Sequence, residues 1–423
     1  MKNRKPIFYG WWIVALTVLT MSVVITPIFQ GLGAFFVSLE RHFGWSRTTL
    51  SGAFSLSRAE GAILGPLEGY LIDNLGSRMA VLIGLTILGA GFIALSFTDS
   101  ILWFYISFLI VFAGAGIGGF MPLIAVINNW FIKKRTRAMA IGMTGINLGG
   151  LLVPVLTFAI VSIGWRTTAL YLGIGILILV VPIAYAIRNR PEDYGLRPDG
   201  IQEDPAETNS ISNHTYDDIE EFDFTVKQAI KTKAFWAITA AHGFSAVSAV
   251  TITVHIIPAL TDMGLSLQAA GLIVSIYTSV GVVFQLIGGY IGDKFHKPKI
   301  IAVFVSIQAF GMLFAALAPN ITGALLFAVL YGAGFGGRIP LLTSIRGEYF
   351  GRKNFATIFG VSQVPMNIAT MLAPIMAGIF FDSLGNYFIP FLGLAILNFI
   401  GAVAILSASK PVHPSSVVVS KQG

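Results

Sequence analysis

Long apolar segments recur along almost the whole chain, and they constrain its fold more than any other feature. Twelve of them are long enough for a helix that crosses a bilayer, which takes about 20 residues. They cover residues 11–36, 49–72, 79–98, 102–130, 137–163, 168–187, 234–260, 268–292, 299–318, 322–346, 354–381 and 387–409. A soluble chain that is 55% hydrophobic and only 11% charged could not bury so much apolar surface. The sequence therefore predicts an all-α membrane protein with twelve transmembrane helices.

Positive charges are unequally distributed between the two ends of the predicted helices. Of the 27 Lys and Arg residues, two lie inside helices and three lie in loops at one end (Arg41, Arg47 and Arg166), which leaves 22 for the other end. Because cytoplasmic loops carry the excess of Lys and Arg, this predicts cytoplasmic termini in a plasma membrane, the inner membrane if the source is bacterial. The net charge of +7 reflects this topology, so we expect contact with membrane lipid and no nucleic-acid partner.

The chain contains an internal repeat. Asp73 in GYLIDNLGSR corresponds to Asp293 in GYIGDKFHKP, and GAGIGGFMP (114–122) corresponds to GAGFGGRIP (332–340), at offsets of 220 and 218 residues. A nearly constant offset indicates duplication into two six-helix halves, with a binding site between them near the middle of the membrane. We predict an N-terminal half (1–187), a central cytoplasmic loop (188–233), a C-terminal half (234–410) and a cytoplasmic tail (411–423).

The predicted central loop differs from the rest of the chain in composition. Residues 188–233 hold 11 of the 20 acidic residues and three prolines, which predicts a mobile linker. Its last segment, FTVKQAIKTK, is typical of a short amphipathic helix on the membrane surface.

The repeated GYLIDNLGSR segment resembles the loop between helices two and three of the major facilitator superfamily. The resemblance implies that glycines allow close helix approach, and that the acidic and basic residues lock two halves in an outward-open state. The gating positions are Gly69, Asp73, Gly76 and Arg78 in the first copy, and Gly289, Asp293 and Lys294 in the second. Glu68 precedes Asp73 by about one turn, and we expect it to have a gating or structural role.

Four further segments resemble the monocarboxylate porter group, which includes oxalate/formate antiporter-like bacterial members. They are FYGWWIV (8–14), FGWSR (43–47), WFIKKRTRAMAIGMTGINLGG (130–150) and RPEDYGLRPDG (190–200). The resemblance covers most of the chain and implies transport of small carboxylates. Two positions depart from it: Gln30 stands where animal carriers have a helix-one lysine, and Gln285 stands where they have a helix-eight arginine. Both remain candidates for substrate binding.

Two arginines lie within the predicted spans and indicate what the chain carries. An arginine in the middle of a membrane costs at least about 2.5–3.5 kcal/mol, so it normally faces a cavity, a partner charge or a substrate. Arg338 has the repeat partner Phe120, which indicates that the fold itself does not require arginine there. We expect Arg338 to bind an anionic substrate. The alternatives are neutralisation by a carboxylate or by helix carbonyl groups, and a side chain that reaches toward the cytoplasm from a position off the centre of the membrane.

Arg58 is the second arginine, and it shares a helix face with small residues: Gly61, Ala62, Gly65 and Gly69. Small residues along one face indicate close packing against another helix. Arg58 is therefore expected to point into the protein, as a substrate contact or as a gate between the halves.

Other polar side chains inside the predicted helices are candidates for coupling or for orienting a ligand. Glu60 lies about 200° around the helix from Arg58, so it needs another partner or a proton, and we expect it to carry a proton or to form a buried ion pair. His242 is a second candidate for proton coupling, because histidine titrates near neutral pH. The residues that could orient a ligand, or join helices by hydrogen bonds, are Tyr277, Tyr331, Asn147 and Asn367.

The sequence does not indicate catalysis. We find no phosphate-binding loop, no nucleophile–base pair, no histidine-rich metal spacing and no cysteine. GAGIGG and GAGFGG lie within apolar helices, so they are not dinucleotide-binding motifs. We therefore predict a protein that is not an enzyme, with no cofactor and no metal.

These observations predict a monomeric secondary active transporter of small organic anions, monocarboxylates foremost, with proton symport or exchange for a counter-anion. Two arginines could also clasp two carboxylates, which leaves a di- or tricarboxylate or oxalate-type exchanger open. Efflux of amphipathic drugs is a further alternative, in which both arginines are structural. A receptor that signals through residues 188–233 and a channel are also alternatives, although the internal repeat favours a transporter.

Overall fold

The protein, in a computed structural model, is built of helices. The structure describes residues 8–30, 32–45, 47–200, 223–265, 267–317 and 320–412. In the first part of the chain the α-helices are α1 (Tyr9–Ile25), α2 (Leu32–Phe43), α3 (Arg47–Leu75), α4 (Ser77–Ser96), α5 (Ile101–Gly118), α6 (Phe120–Trp130), α7 (Arg135–Leu148), α8 (Val153–Ile163) and α9 (Trp165–Ala186). They are followed by α10 (Val226–Ala229), α11 (Lys233–Asp262), α12 (Leu267–Gly292), α13 (Lys297–Leu317), α14 (Ile321–Phe350), α15 (Phe355–Leu384) and α16 (Phe388–Leu406).

Ten of the described helical segments are long and apolar enough to cross a membrane by themselves. The predicted spans 49–72 and 137–163 are not among the ten, yet both are helical. Segment 49–72 lies in α3, where Glu60, Glu68 and Arg58 lower the mean hydropathy. Segment 137–163 is divided into α7 and α8 by a 3-10 turn at Gly149–Leu152. Because α3 packs on α15 and α7 packs on α12, both are sheltered by protein and tolerate polar residues.

Two other predicted spans are interrupted rather than continuous. The first passes from α1 through a π-helical turn, Thr26–Gln30, before α2 begins. Pro27 lies in this turn and has no N–H to donate, which disrupts regular α-helical bonding. The fourth is divided at Gly119, whose φ of -93° and ψ of -109° lie outside the helical region.

The two halves, α1–α9 and α11–α16, approach each other closely through glycines. A Cβ on Gly69 of α3 would lie 2.3 Å from the carbonyl oxygen of Ala356 in α15. A Cβ on Gly289 of α12 would lie 2.3 Å from the Cβ of Ala140 in α7. The small-residue face predicted around Arg58 is confirmed at Gly61, Gly65 and Gly69, which face α15. These contacts require the helix backbones to touch.

One end of the bundle carries a concentration of basic residues, and we call it the basic end. It comprises the turns 131–134 and 350–354 together with residues 188–200 and 223–232 at the two ends of the predicted central loop. The amphipathic helix predicted from FTVKQAIKTK is one turn, α10, which begins with a capping box between Thr225 and Gln228. The acidic middle of the loop (201–222) and most of the predicted tail (413–423) lie outside the described residues.

Candidate functional site

Arg338 lies in α14 and is 2% exposed. Its Nε donates to Oε1 of Gln308 at 2.7 Å, and its Nη2 donates to the carbonyl oxygen of Ser245 at 3.1 Å. Both acceptors are neutral, and one is the helix carbonyl that the alternative interpretation expected. Nη1 makes no hydrogen bond to any described residue, so its two N–H groups could bind an anion.

A series of aromatic side chains begins at the Arg338 guanidinium. The centroid of the Phe335 ring lies 5.1 Å from it, and Tyr331 stacks on Phe335 at 5.9 Å. Tyr277 meets Tyr331 edge-on, with ring centroids 5.5 Å apart. The structure therefore brings together three predicted site residues, Arg338, Tyr277 and Tyr331, in the C-terminal half. A guanidinium beside aromatic rings suits a carboxylate with an apolar body.

The N-terminal half has no counterpart to this arrangement among its described residues. Phe120, the repeat partner of Arg338, packs on Phe359 with ring centroids 6.2 Å apart. The repeat offset places Leu88 or Gly89 opposite Gln308, so the polar partner is absent too. The buried arginine at this position is a feature of one half only.

Gln285 and Asn147 meet across the interface between the halves. Asn147 Nδ2 donates to Gln285 Oε1 at 3.3 Å, and Gln285 Nε2 donates to the carbonyl oxygen of Ala140 at 2.9 Å. Gln285 is buried, so its amide joins α12 to α7. These two predicted substrate residues therefore form an interdomain contact in this conformation.

The three other residues predicted for substrate binding are Asn367, Arg58 and Gln30. Asn367 of α15 faces α3, with its Nδ2 3.5 Å from the point where a Cβ on Gly61 would lie. Arg58 belongs to α3 and Gln30 to the π-helical turn, but both side chains lie outside the described part of the structure.

The two acidic residues of α3 differ in their surroundings. Glu60 is half-buried, whereas Glu68 is 7% exposed. The carboxylate of Glu68 packs against Gly116 of α5, where an added Cβ would clash with it. Among the described residues we find no hydrogen bond or ion pair for either carboxylate, so each is a candidate to hold a proton.

His242 contacts an arginine that the sequence analysis does not single out. Arg346 Nη2 lies 3.3 Å from His242 Nδ1, and Arg346 Nε donates to Ser362 Oγ at 3.1 Å. Because a guanidinium only donates, His242 Nδ1 must accept, which requires the neutral ring with its proton on Nε2. This partner disfavours the proton-coupling role predicted for His242.

The sequence does not indicate Arg346 as a buried residue, because the predicted span ends at residue 346. A charge at the end of a span is counted among the charges of the following loop. Helix α14 continues to Phe350 and ends at Gly351, where φ is +84°. Gly347 is the only stop signal between Arg346 and Gly351, and recognising Gly351 as the true stop would have placed Arg346 inside the helix. Arg346 lies about 12 Å along α14 from Arg338, so the two do not share one site.

Asp73 caps a helix of the opposite half. Its Oδ1 accepts from Ala356 N at 3.1 Å, and its Oδ2 accepts from Thr357 N at 2.7 Å and from Thr357 Oγ1 at 2.6 Å. These donors belong to the first turn of α15, where a carboxylate also interacts favourably with the helix dipole.

Asp293 makes the equivalent contact in the other direction. It accepts from Thr136 N at 2.8 Å and from Arg137 N at 3.0 Å, in the first turn of α7. Burial raises the pKa of Asp293, whereas the hydrogen bonds that it accepts lower the pKa. Thr136 also bonds Ser344 of α14, with 3.0 Å between the hydroxyl oxygens.

The basic residues of the repeated motif do not bridge the halves. Arg78 lies over the Tyr185 ring at 5.5 Å, and its backbone N–H donates to Asn189 Oδ1 at 2.8 Å. Lys294 Nζ donates to the hydroxyl of Tyr290 at 2.5 Å, within its own half. Gly76 has a φ of +80° at the turn between α3 and α4, which suits glycine. In the described structure the carboxylates of Asp73 and Asp293 make contacts between the halves, whereas the contacts of Arg78 and Lys294 lie within their own halves.

Comparisons with known proteins place this chain in context. A family model of the Major Facilitator Superfamily matches residues 10–269 and 243–422. Monocarboxylate transporter 12 of Xenopus laevis is 23% identical over 411 residues, which are 92% of this chain and 87% of that protein. Among solved structures, the transporter FucP in the outward conformation has a TM-score of 0.70 and 14% identity, covering 96% of this chain and 100% of that chain. The human organic anion transporter MFSD10 (TETRAN) also has a TM-score of 0.70 and 14% identity, covering 95% of this chain and 100% of that chain.

Proposed function

This chain belongs to the Major Facilitator Superfamily of secondary transporters, and we propose that it carries small organic anions, monocarboxylates foremost. The family comprises transporters, not enzymes, and the chain is a multi-pass integral membrane protein. Its distant relatedness to monocarboxylate transporters extends over most of its length and supports this substrate class.

The observation that carries the proposal is the state of Arg338. A buried guanidinium whose partners among the described residues are all neutral is costly, and the approach of an anion would offset that cost. Gln308 and the Ser245 carbonyl hold two of its three nitrogens, so Nη1 is fixed in one direction. Phe335 lies beside the guanidinium, and Tyr331 and Tyr277 follow through successive ring contacts, so we propose that these rings contact the body of the substrate.

Coupling follows from the membrane potential. Moving one negative charge into a compartment at negative potential costs about 2.3 kcal/mol per 100 mV. Proton symport removes this cost, as does exchange for another anion. Glu60 is the residue that we propose holds the proton, because it is half-buried and has no ion-pair partner among the described residues.

The orientation follows from the positive-inside rule. We propose that the basic end is cytoplasmic and that the protein is a monomer in the plasma membrane. The capping contacts of Asp73 and Asp293 then close the cytoplasmic side, which corresponds to an outward-facing state. We propose the boundaries 1–187, 188–233, 234–410 and 411–423 for the N-terminal half, the central loop, the C-terminal half and the tail. The end of α9 at Ala186 and the start of α11 at Lys233 support the limits of the loop.

The first experiment is thermal unfolding of the purified protein in detergent with mono-, di- and tricarboxylates. We expect a small monocarboxylate to raise the unfolding temperature, and we expect Arg338→Gln to remove that increase. Arg346→Gln is the matched control, because it removes another buried arginine of α14 without touching the proposed site.

Two outcomes would overturn the proposal. One is the same carboxylate stabilisation in Arg338→Gln as in the parent. The other is stabilisation by amphipathic cations and by no carboxylate, which would indicate drug efflux. Stabilisation by dicarboxylates alone would replace monocarboxylates by an oxalate-type substrate. Uptake into proteoliposomes with and without a pH gradient then separates proton symport from anion exchange.

A further inference from the structure

The first end of the central loop is bound tightly to the N-terminal half. Asp199 accepts from the backbone N–H groups of Ile132 and Lys133 with Oδ2, at 2.9 and 2.7 Å, and from Lys134 with Oδ1 at 3.0 Å. Trp130 Nε1 donates to the carbonyl oxygen of Arg188 at 2.7 Å. Residues 188–200 are thus fixed at this end, whereas the sequence predicted a mobile linker throughout.

The second end of the loop is bound in the same way to the C-terminal half. Asp223 Oδ1 accepts from the backbone N–H groups of Arg352 and Lys353 at 2.8 and 2.9 Å. Phe224 is buried, and its N–H donates to the carbonyl oxygen of Phe350 at 3.0 Å. The turns that Asp199 and Asp223 bind are equivalent in the internal repeat, since Phe131 corresponds to Phe350.

Arg352 connects the C-terminal half to the N-terminal half and to the end of the central loop that is bound there. Its Nη1 donates to Glu192 Oε1 at 2.8 Å and to the carbonyl oxygen of Asn129 at 2.9 Å. Arg352 belongs to the C-terminal half, whereas Asn129 lies in α6 and Glu192 lies in the loop end that Asp199 fixes to the N-terminal half. The Arg352 side chain is 27% exposed and that of Glu192 is 43% exposed, so the pair is partly shielded from water.

We propose that Arg352 and Glu192 form a further gating pair, and that the first end of the central loop is part of the lock at the basic end. The lock must open whenever the halves separate there, and both acceptors of Arg352 then move away with the N-terminal half. Residues 191–200 therefore help to hold the closed state. The inference rests on the alternating-access cycle of the proposed function and does not depend on which substrate is carried.

The chain has no cysteine, so one introduced thiol can report opening of the basic end without background. Ser344 is fully buried at the contact with Thr136, and Ser344→Cys is a small change. In this Ser344→Cys parent we would measure the rate at which N-ethylmaleimide modifies the introduced thiol in detergent, and we call this rate the labelling rate. Arg352→Ala and Glu192→Gln should each raise the labelling rate by about three- to tenfold, as expected for a partly shielded charged hydrogen bond.

Lys353→Ala is the matched control, because it removes a positive charge from the adjacent position. It should leave the labelling rate within about twofold, as for an exposed charge that forms no ion pair with any described residue. The labelling rate of the double variant Arg352→Ala with Glu192→Gln should not exceed that of Arg352→Ala alone, because Arg352→Ala already removes the contact that Glu192→Gln weakens. Unchanged rates in both single variants would overturn the gating pair, as would an equal increase in Lys353→Ala. The labelling rate needs no substrate, so a failed carboxylate assay would not affect this result.

Discussion

The two halves of the protein are nearly equivalent at the basic end and different in the middle of the membrane. Asp73 and Asp293 each cap the first turn of a helix in the opposite half, and their donors are repeat equivalents: residues 356 and 357 for one, 136 and 137 for the other. Deeper in the bundle, Arg338 has Phe120 as its counterpart. The acids Glu60 and Glu68 likewise lie in one half only.

This difference separates two tasks. Both halves must close on each other at the basic end, so the duplicated caps remain equivalent there. A ligand without twofold symmetry does not need equal contacts from both halves, so the middle of the membrane could diverge. Similarity between the two halves therefore indicates the proposed gate, and the difference between them indicates the candidate site.

We expect the largest effect at Arg338, because its position carries the greatest difference between the halves. Arg338→Gln should lower carboxylate uptake into proteoliposomes at least about 100-fold, because it removes the charge that would bind the anion. Arg338→Lys should retain part of the activity, since lysine keeps the charge but cannot hold Gln308 and Ser245 together.

Phe120→Leu is the control for this test, because it alters the equivalent position of the other half without adding or removing a charge. We expect uptake within about threefold of the parent, as for an apolar exchange that keeps most of the volume. An equal loss in Phe120→Leu would show that both positions matter for packing and would contradict a site in one half.

The second largest effect should come from substitution of the glycines at which the halves come into close contact. Gly69→Ala should raise the labelling rate by about 10- to 100-fold, because the new methyl group meets rigid backbone atoms of Ala356 and Thr357. Gly289→Ala should act in the same direction but less, since its nearest contact is the Ala140 side chain. Gly175→Ala has nothing within 4 Å and should not change the rate. An unaffected rate in Gly69→Ala would mean that closure does not need this contact.

The two capping carboxylates offer a direct test of equivalence. Asp73→Asn and Asp293→Asn should each raise the labelling rate by about tenfold, because an amide has only one oxygen to accept from the helix N–H groups. The two effects should be of similar size, because each carboxylate accepts from two main-chain N–H groups in the first turn of the helix that it caps.

Asn74→Ala is the control for the capping test. Asn74 is the neighbour of Asp73, but its side-chain amide bonds only the carbonyl oxygen of Tyr70 within α3 among the described residues. The labelling rate of Asn74→Ala should therefore match that of the parent. An effect at only one of the two caps would refute their equivalence.

Asn128 should act with the opposite sign. It is fully buried against Gly347, its repeat equivalent, and neither its Oδ1 nor its Nδ2 has a partner among the described residues. Separation of the halves at the basic end would hydrate the Asn128 amide, so the unpaired amide destabilises the closed state. Asn128→Ala should therefore lower the labelling rate by about fivefold. A rate that rises instead would show that Asn128 contributes packing and not an unpaired polar group.

The smallest effect should come from the contact between Asn147 and Gln285. Their hydrogen bond is long, at 3.3 Å, and both groups are neutral. Asn147→Ala should change the labelling rate by at most about threefold. A much greater loss of uptake with an unchanged labelling rate would instead favour the substrate-binding role predicted for Asn147 from the sequence.

The helical membrane fold could be predicted from the sequence alone, and the repeated motif points to the residues that make the interdomain contacts, Asp73 and Asp293. Apolar runs of sufficient length admit few alternatives in a bilayer, and Asp73 and Asp293 lie in motifs that recur at a constant offset. The interruptions could not be predicted, because a hydropathy pattern does not distinguish one continuous helix from two helices divided at Gly119.

The site could be predicted less completely, for reasons that the individual residues show. Charge inside an apolar segment identifies Arg338, but its partners Gln308 and Ser245 come from two other helices, and their approach depends on packing. Arg346 lies at the edge of the predicted span, where boundaries are least certain. The loop contacts of Asp199 and Asp223 join distant segments, and no local pattern indicates them.

The capping of α7 and α15 by carboxylates has a consequence for how fast the transporter can cycle. Most of the donors are main-chain amides, so water replaces each bond when the halves part, and the net loss is only about 1 kcal/mol per bond in neutral cases and somewhat more for a carboxylate. The closed conformation is thereby favoured without becoming a kinetic trap, which a turnover of many cycles requires. Main-chain donors also leave the side chains at positions 137 and 356 able to change in evolution while the closure persists.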